Sequence, residues 1–246
     1  MFIFALVMGT NPNRESTFRF KQFAVKNKNS AMKVGTDGVL LGAWCGIDGV
    51  RRALDVGTGS GLIALMLAQR NSSVHVTAVD IVREAVDEAK ENVGNSPWKD
   101  RIEVVCGDFN TFPSGDSAFE PYDLIVSNPP FYKADVKSPD YARKMARHGD
   151  GLDYRSLIGR CADGLLAPCG RLSMILPAEY DADVTFEAEM SRMKIVRKIS
   201  VFTKRASVVP SRTLWELSAD AMRTAEYGEL RIGSDDYNKL TEPFYL

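Results

Sequence analysis

Asp55-Val56-Gly57-Thr58-Gly59-Ser60-Gly61 closes a short β-like run, Ala53–Val56, and opens a helix carrying Leu62, Ile63, Leu65 and Met66. Glycines at a strand-to-helix junction let the chain turn tightly and bring its backbone close to a ligand. The dinucleotide fingerprint G-x-G-x-x-G would need glycine at position 62, where this chain has Leu62. The loop reads D-x-G-x-G-x-G instead, with an acid at the strand end. A carboxylate there would repel phosphates, but it accepts bonds from a cationic amino-acid moiety, directly or through water. Asp55, Gly57, Gly59 and Gly61 are therefore read as contacts to a cofactor that carries an ammonium group.

Working outward, apolar runs alternate with helical periodicity, which predicts a parallel sheet covered by helices. Val74–Val79, Ile102–Cys106 and Leu124–Val126 read as the second to fourth strands. Val82, Val86, Ala89 and Val93 mark one helix face between the second and third. A helix is expected from about Leu152 to Leu166, ended by Pro168 and Gly170, with Leu172–Leu176 as the fifth strand. After a helix around Val184–Met193, the runs Ile195–Phe202 and Thr213–Ser218 suggest an antiparallel hairpin that finishes the sheet. Residues before about Arg51 stand outside this alternation: a basic loop, Lys21–Lys33, precedes a short helix that Thr36 or Asp37 could cap. His75 is read as a structural mid-strand residue.

Two further acids end successive strands. Asp80 can receive both hydroxyls of a ribose, or it can cap the following helix. Asp108 could accept the exocyclic amine of an adenine with Phe109 against the base, although a Gly107-Asp108 turn would explain it too. With Asp55, these acids outline an adenosine linked to an amino acid.

The fourth strand ends in Ser127-Asn128-Pro129-Pro130-Phe131. Prolines fix the backbone and remove donors, so carbonyls stay free to accept. The Asn128 amide oxygen and the Pro129 carbonyl could hold the two hydrogens of an amine whose lone pair is delocalised into a π system. Holding those hydrogens out of plane favours a geometry that can attack an electrophilic methyl, and it needs no strong base. Phe131 would stack on the planar target. The bland alternative is a rigid Asn-Pro turn. Asn128, Pro129, Pro130 and Phe131 form the catalytic group, with Asn128 also beside the cofactor.

These motifs resemble class I methyltransferases that act on amino nitrogens: Asp55–Gly61 as the glycine motif, Asp80 as the acid after the second strand, and Asn128–Phe131 as the NPPF motif. The stretches Phe18–Phe23 and Met32–Gly42, with Asn95-Ser96-Pro97-Trp98, resemble more particularly the bacterial tRNA-valine adenine-N6 methyltransferases, from Phe18 to Leu217. The resemblance implies an α/β, Rossmann-like class I methyltransferase fold with a seven-stranded, mostly parallel sheet and a C-terminal antiparallel hairpin. It implies S-adenosyl-L-methionine as cofactor and tRNA as partner, methylated at N6 of adenosine 37 next to the anticodon of valine tRNA. It also implies one domain spanning 18–246 whose N-terminal segment 18–50 covers the cofactor, with Thr36–Gly42 folding over its methionine end and Thr36 or Asp37 near it.

Composition neither excludes nor advertises such a partner. The 246 residues are 45% hydrophobic and 26% charged, with a net charge of −1, so nucleic-acid binding must come from a local patch. Between Ser191 and Trp215 lie Arg192, Lys194, Arg197, Lys198, Lys204, Arg205 and Arg212 and no acid. The long loop after Phe131 adds Lys133, Lys137, Arg143, Lys144 and Arg147. Lys133, Arg143, Lys144, Arg197, Lys198, Lys204 and Arg205 are the candidate RNA contacts, against the alternative of a solvated face. His148, in the same loop, has no part in the mechanism above. Four cysteines at irregular spacing and two histidines offer no metal site and suit a reducing, cytoplasmic compartment. Residues 1–17 read as a disordered leader: the apolar run Met1–Met8 is short of the roughly 20 residues that span a bilayer, and Met8 is an alternative start. No membrane segment, no metal and a monomer are expected. A glutamine-N5 protein methyltransferase faces the same lone-pair problem and is the main rival, followed by a guanine-N2 RNA methyltransferase. A nucleotide-binding module without catalysis would have no use for Asn128–Phe131.

Overall fold

The computed structural model describes residues 17–28, 33–113, 119–131, 152–203, 206–220 and 222–246. Leu54, Val56 and their neighbours Ala53 and Asp55 are each at most 1% exposed, so the strand that ends in the glycine loop is covered on both faces. This strand, β3 (Arg52–Val56), is flanked by β4 (His75–Asp80) and β6 (Tyr122–Ser127), both parallel to it. β5 (Ile102–Cys106) continues one side, and β7 (Leu166–Pro177), β9 (Arg212–Ser218), β8 (Lys194–Phe202) and β10 (Glu226–Arg231) continue the other. Strand order reverses between β3 and β6, and at such switch points α/β folds bind ligands beyond the carboxyl ends of the strands.

The sheet has eight strands, one more than the sequence implies. The hairpin β8–β9 is present, with β9 antiparallel to both β7 and β8, but β10 lies outside it, parallel to β8. Its sequence, EYGELR, buries only Leu230, so it carries no period-2 apolar signal. Charged, half-solvated residues are what an edge strand requires.

One face of the sheet is covered by α1 (Thr36–Trp44), α2 (Leu62–Arg70) and the C-terminal α6 (Asp235–Thr241) with Phe244. The other is covered by α4 (Tyr154–Arg160) and α5 (Asp181–Met190). The helix α3 (Arg83–Gly94) packs on the β4–β5 side, with Val86, Ala89 and Val93 buried; Val82 precedes it and is exposed. Strand alternation divides β9 between the two cores: Leu214 joins the first, Trp215 and Leu217 the second.

Three expected boundaries move. α4 is shorter than Leu152–Leu166, capped by Asp153, and followed by a wide turn through Gly164 at φ 100°. β7 then starts at Leu166, and Pro168 and Gly170 lie inside it, where a register shift opposite Tyr122 and Leu124 accommodates them. α1 is preceded by Gly35 and has no side-chain cap, so neither Thr36 nor Asp37 caps it. His75 begins β4 and is exposed, not mid-strand. Thr17, placed in the leader by the sequence, begins the ribbon β1 (Thr17–Arg19)–β2 (Ala24–Lys26). The family-like aromatics have a structural use beside it: Phe20 stacks on Phe23 at 4.6 Å, and Phe23 meets Trp98 edge-on at 5.7 Å. Residues 1–16, the loop 132–151 with Lys133, Arg143, Lys144 and His148, and Lys204 and Arg205 lie outside the described residues.

Candidate active site

Parallel pairing aligns the strand ends, and backbone bonds fix the loops that follow. The N–H groups of Gly57 and Thr58 donate to the Val79 carbonyl at 2.9 and 3.1 Å, and Ser127 Oγ donates to the Val56 carbonyl at 2.8 Å. The glycine loop, the β4 end and the Asn-Pro-Pro-Phe turn are thus tied to one another. The glycine loop, through Gly57 and Gly59, and Asn128 border a cavity of about 460 Å³ whose wall also includes Thr36, Asp37 and Arg212, while Asp80 and Phe131 lie outside that wall. Gly57 needs its residue type here: its φ is +68°, and a Cβ would approach Leu152 Cδ2 to 2.9 Å.

Asp55 lies beneath the loop, 1% exposed. Its Oδ2 accepts from Thr58 Oγ1 at 2.6 Å and from the Ala64 N–H at 3.1 Å, while its buried Oδ1 has no partner among the described residues. Burial pushes its carboxyl up to about 7. Since the carboxyl in an unfolded chain titrates near 4, the fold holds this extra proton between about pH 4 and 7. Asp55's contribution to stability therefore falls as pH rises through that window and is lowest above 7. A cationic ligand moiety favours the ionised form, so affinity for S-adenosylhomocysteine is expected to rise by up to about tenfold per pH unit below 7 and to level off near 8. Calorimetry from pH 6 to 8 checks this, and Asp55→Asn should abolish the slope.

Asp80 does not cap α3, which begins after Val82 without a side-chain cap; its carboxylate ties the β4 end to the glycine loop. Oδ1 accepts from the Val82 N–H at 2.9 Å, just before α3, and Oδ2 accepts from the Gly59 N–H at 2.9 Å. Each oxygen keeps a second lone pair for a hydroxyl. Asp80→Ala removes charged bonds worth roughly 1.5–3 kcal/mol each, so S-adenosylhomocysteine affinity measured by calorimetry should fall at least about tenfold.

Asp108 is exposed beyond β5, and its Oδ1 accepts from the Asn110 N–H at 2.9 Å, the turn that its sequence also allowed. Phe109 corrects the expectation of an open stacking face. It is 4% exposed in the second core, with the Arg160 guanidinium 5.1 Å over its ring and Arg160 Nη1 donating to its carbonyl. Ile81, directly after Asp80, is 66% exposed and offers the apolar surface that Phe109 does not. Nothing in its local pattern distinguished it from a buried strand residue.

Asn128 follows β6 with its Oδ1 buried and without a partner among the described residues. Pro129 is buried, and Pro130 and Phe131 are half-buried. The Arg212 guanidinium stands 4.9 Å over the Phe131 ring, and its Nε donates to Asp37 Oδ2 at 2.8 Å. Thr203, Ile232 and Lys33 also border the cavity. Their separation in the chain from the glycine loop left sequence patterns no means of finding them.

Two candidate RNA contacts already have partners within the fold. Neighbouring strand residues point to opposite faces, and both Arg197 and Lys198 are held within the fold. Arg197 pairs with Glu216 at 3.2 Å, donates to the Trp44 carbonyl at 2.9 Å and lies 4.0 Å over the Trp44 ring. Lys198 pairs with Asp181 at 2.6 Å and lies 4.5 Å over Trp215. Among the described residues no group of three or more His, Cys, Asp or Glu is arranged for a metal, and no helix is long and apolar enough to cross a membrane.

A glycine loop at the switch point, acids at the ends of β3 and β4 and an Asn-Pro-Pro-Phe turn define a class I methyltransferase, an enzyme class that uses S-adenosylmethionine. Residues 47–203 match the family described as "Methyltransferase small domain", and the chain belongs to it. A predicted O-methyltransferase of Agrobacterium tumefaciens has a similar fold, with a TM-score of 0.64 over 85% of this chain and 96% of that one, at 18% identity. Among curated relatives, a Bacteroides thetaiotaomicron protein is 42% identical over 93% of this chain and 97% of its own length. An Aeromonas hydrophila protein is 42% identical over 95% and 98%. Both are named tRNA1(Val) (adenine(37)-N6)-methyltransferase.

Proposed function

We propose that this protein methylates N6 of adenosine 37 in valine tRNA. The observation that carries the chemistry is the buried Oδ1 of Asn128 at the cavity wall, which has no partner among the described residues. A buried acceptor without a partner costs about 1–3 kcal/mol, and a planar amine supplies the missing donor. The names of its relatives supply the acceptor, adenine 37 of a valine tRNA.

The residues present fit S-adenosylmethionine: a glycine-walled cavity, a carboxylate with lone pairs for ribose hydroxyls in Asp80, an apolar side chain for the base in Ile81, and a buried acid beneath the loop in Asp55. When bound, that cofactor supplies an electrophilic methyl group on a sulfonium. Asn128 Oδ1 and the Pro129 carbonyl accept the two amine hydrogens and so draw the nitrogen lone pair out of conjugation with the ring. The same oxygens stabilise positive charge as it develops on nitrogen. Phe131 stacks on the adenine, which has left its own stack to reach the cavity. Solvent takes the amine proton afterwards, so no histidine is needed.

With Arg197 and Lys198 held by Glu216 and Asp181, phosphate contacts fall to Lys133, Arg143, Lys144, Lys204 and Arg205, and a tRNA acceptor places the reaction in the cytoplasm. The test offers valine tRNA, other tRNAs and a protein release factor with labelled cofactor. Methyl on valine tRNA is expected, and nucleoside mass spectrometry should report N6-methyladenosine. Methyl on the release factor alone would transfer the assignment to a glutamine-N5 methyltransferase.

A further inference from the structure

Arg212 contacts two segments far from it in the chain, as well as the carbonyl of its own neighbour. Its Nε donates to Asp37 Oδ2 at 2.8 Å, its Nη1 to the Ser211 carbonyl at 2.9 Å, and its guanidinium carbon stands 4.9 Å from the centre of the Phe131 ring. It is the first residue of β9, paired with Pro177 on β7 and Val201 on β8, so its backbone is held on both sides. The side chain is 27% exposed and borders the cavity together with Asp37 and Asn128.

The Phe131 ring is itself only half-buried and lies directly after a proline pair. A ring in that position can rotate about its side-chain bonds unless a neighbour fixes its plane. A guanidinium within about 6 Å of a ring centre provides an attractive contact to one face, and its planar fork is itself oriented by the bond to Asp37. A planar target that stacks on Phe131 would take the opposite ring face.

We propose that Arg212 is a positioning residue for methyl transfer. Held by Asp37, it fixes the plane of Phe131 and hence the angle at which the target base meets Asn128. The inference rests on the assignment of Phe131 as the stacking residue. It also joins the helix α1, which borders the cavity at Thr36 and Asp37, to the turn that presents the acceptor, through a single side chain.

The test is a double-mutant cycle on the full-length protein: wild type, Arg212→Lys, Phe131→Ala and the double variant. Single-turnover rates are measured with valine tRNA transcript, labelled cofactor and enzyme in excess. Lysine keeps the charge for Asp37 but has no planar group for the ring. Arg212→Lys alone should lower the rate about tenfold, and on the Phe131→Ala background it should change the rate by less than about twofold. Affinity for S-adenosylhomocysteine should stay within about twofold of wild type throughout. Equal losses on both backgrounds would show that Arg212 does not act through the ring, and a fully active Arg212→Lys would overturn the proposal outright. A loss confined to cofactor affinity would also overturn it. A fully active Phe131→Ala would instead defeat the stacking assignment on which it rests. Should Arg212→Lys lower the melting temperature too far to assay, Arg212→Gln enters the same cycle.

Discussion

Asn128→Ala is expected to lower turnover by at least about two orders of magnitude, as loss of other preorganised acceptors and donors does, while leaving affinity for S-adenosylhomocysteine within about twofold. The same substitution should leave stability unchanged or raise it slightly. Oδ1 of Asn128 is buried without a partner among the described residues, so its removal relieves an unsatisfied polar group instead of breaking a bond. Loss of activity with retained or increased melting temperature separates a catalytic acceptor from a residue that shapes the turn. Single-turnover methylation and thermal unfolding of the same preparation provide both readings. Near-normal turnover would remove the amine-holding mechanism.

Glu216→Ala should have the largest effect on stability. Glu216 is 4% exposed, and its Oε1 accepts from the Gly46 N–H and from Ser173 Oγ, each at 3.1 Å. Arg197 lies 3.2 Å from Oε2 and Arg171 3.9 Å from Oε1. Removing the acid leaves two largely buried guanidinium groups unpaired, which costs about 3–5 kcal/mol. For a chain of this size that corresponds to a fall in melting temperature of roughly 10 °C. Glu216 lies four residues along β9 from Arg212, roughly 13 Å at strand rise, so turnover well below the new midpoint should hold. A variant that melts like wild type would show that the pair adds nothing to the fold.

The contrast between Asn128 and Glu216 marks how far the sequence could be read. Asp55–Gly61 and Asn128–Phe131 are contiguous, and their glycines, acid and prolines act through the local backbone, so residue type and spacing are enough to locate them. The alternation of apolar runs from Arg52 to Ser218 likewise follows from the periods of strand and helix, and it places both motifs at carboxyl ends of neighbouring parallel strands. That much the sequence determined by itself, together with the chemistry of an amine facing a methyl donor.

What the tertiary structure decided concerns groups whose roles depend on partners far away in the chain. Arg197 and Lys198 look alike within a basic strip, but alternation sends one to Glu216 and Trp44 and the other to Asp181 and Trp215. Phe109 follows its acid as a base-stacking ring would, but packing in the second core closes it, and Ile81 is left in water instead. β10 carries no apolar alternation because an edge strand needs little, and its place is set by pairing with β8. Arg212 reads as one more surface cation until folding sets it between Asp37 and Phe131, residues 175 and 81 positions earlier. A charge's function is fixed by what neutralises it and an aromatic's by what covers it, and both are properties of the packed chain.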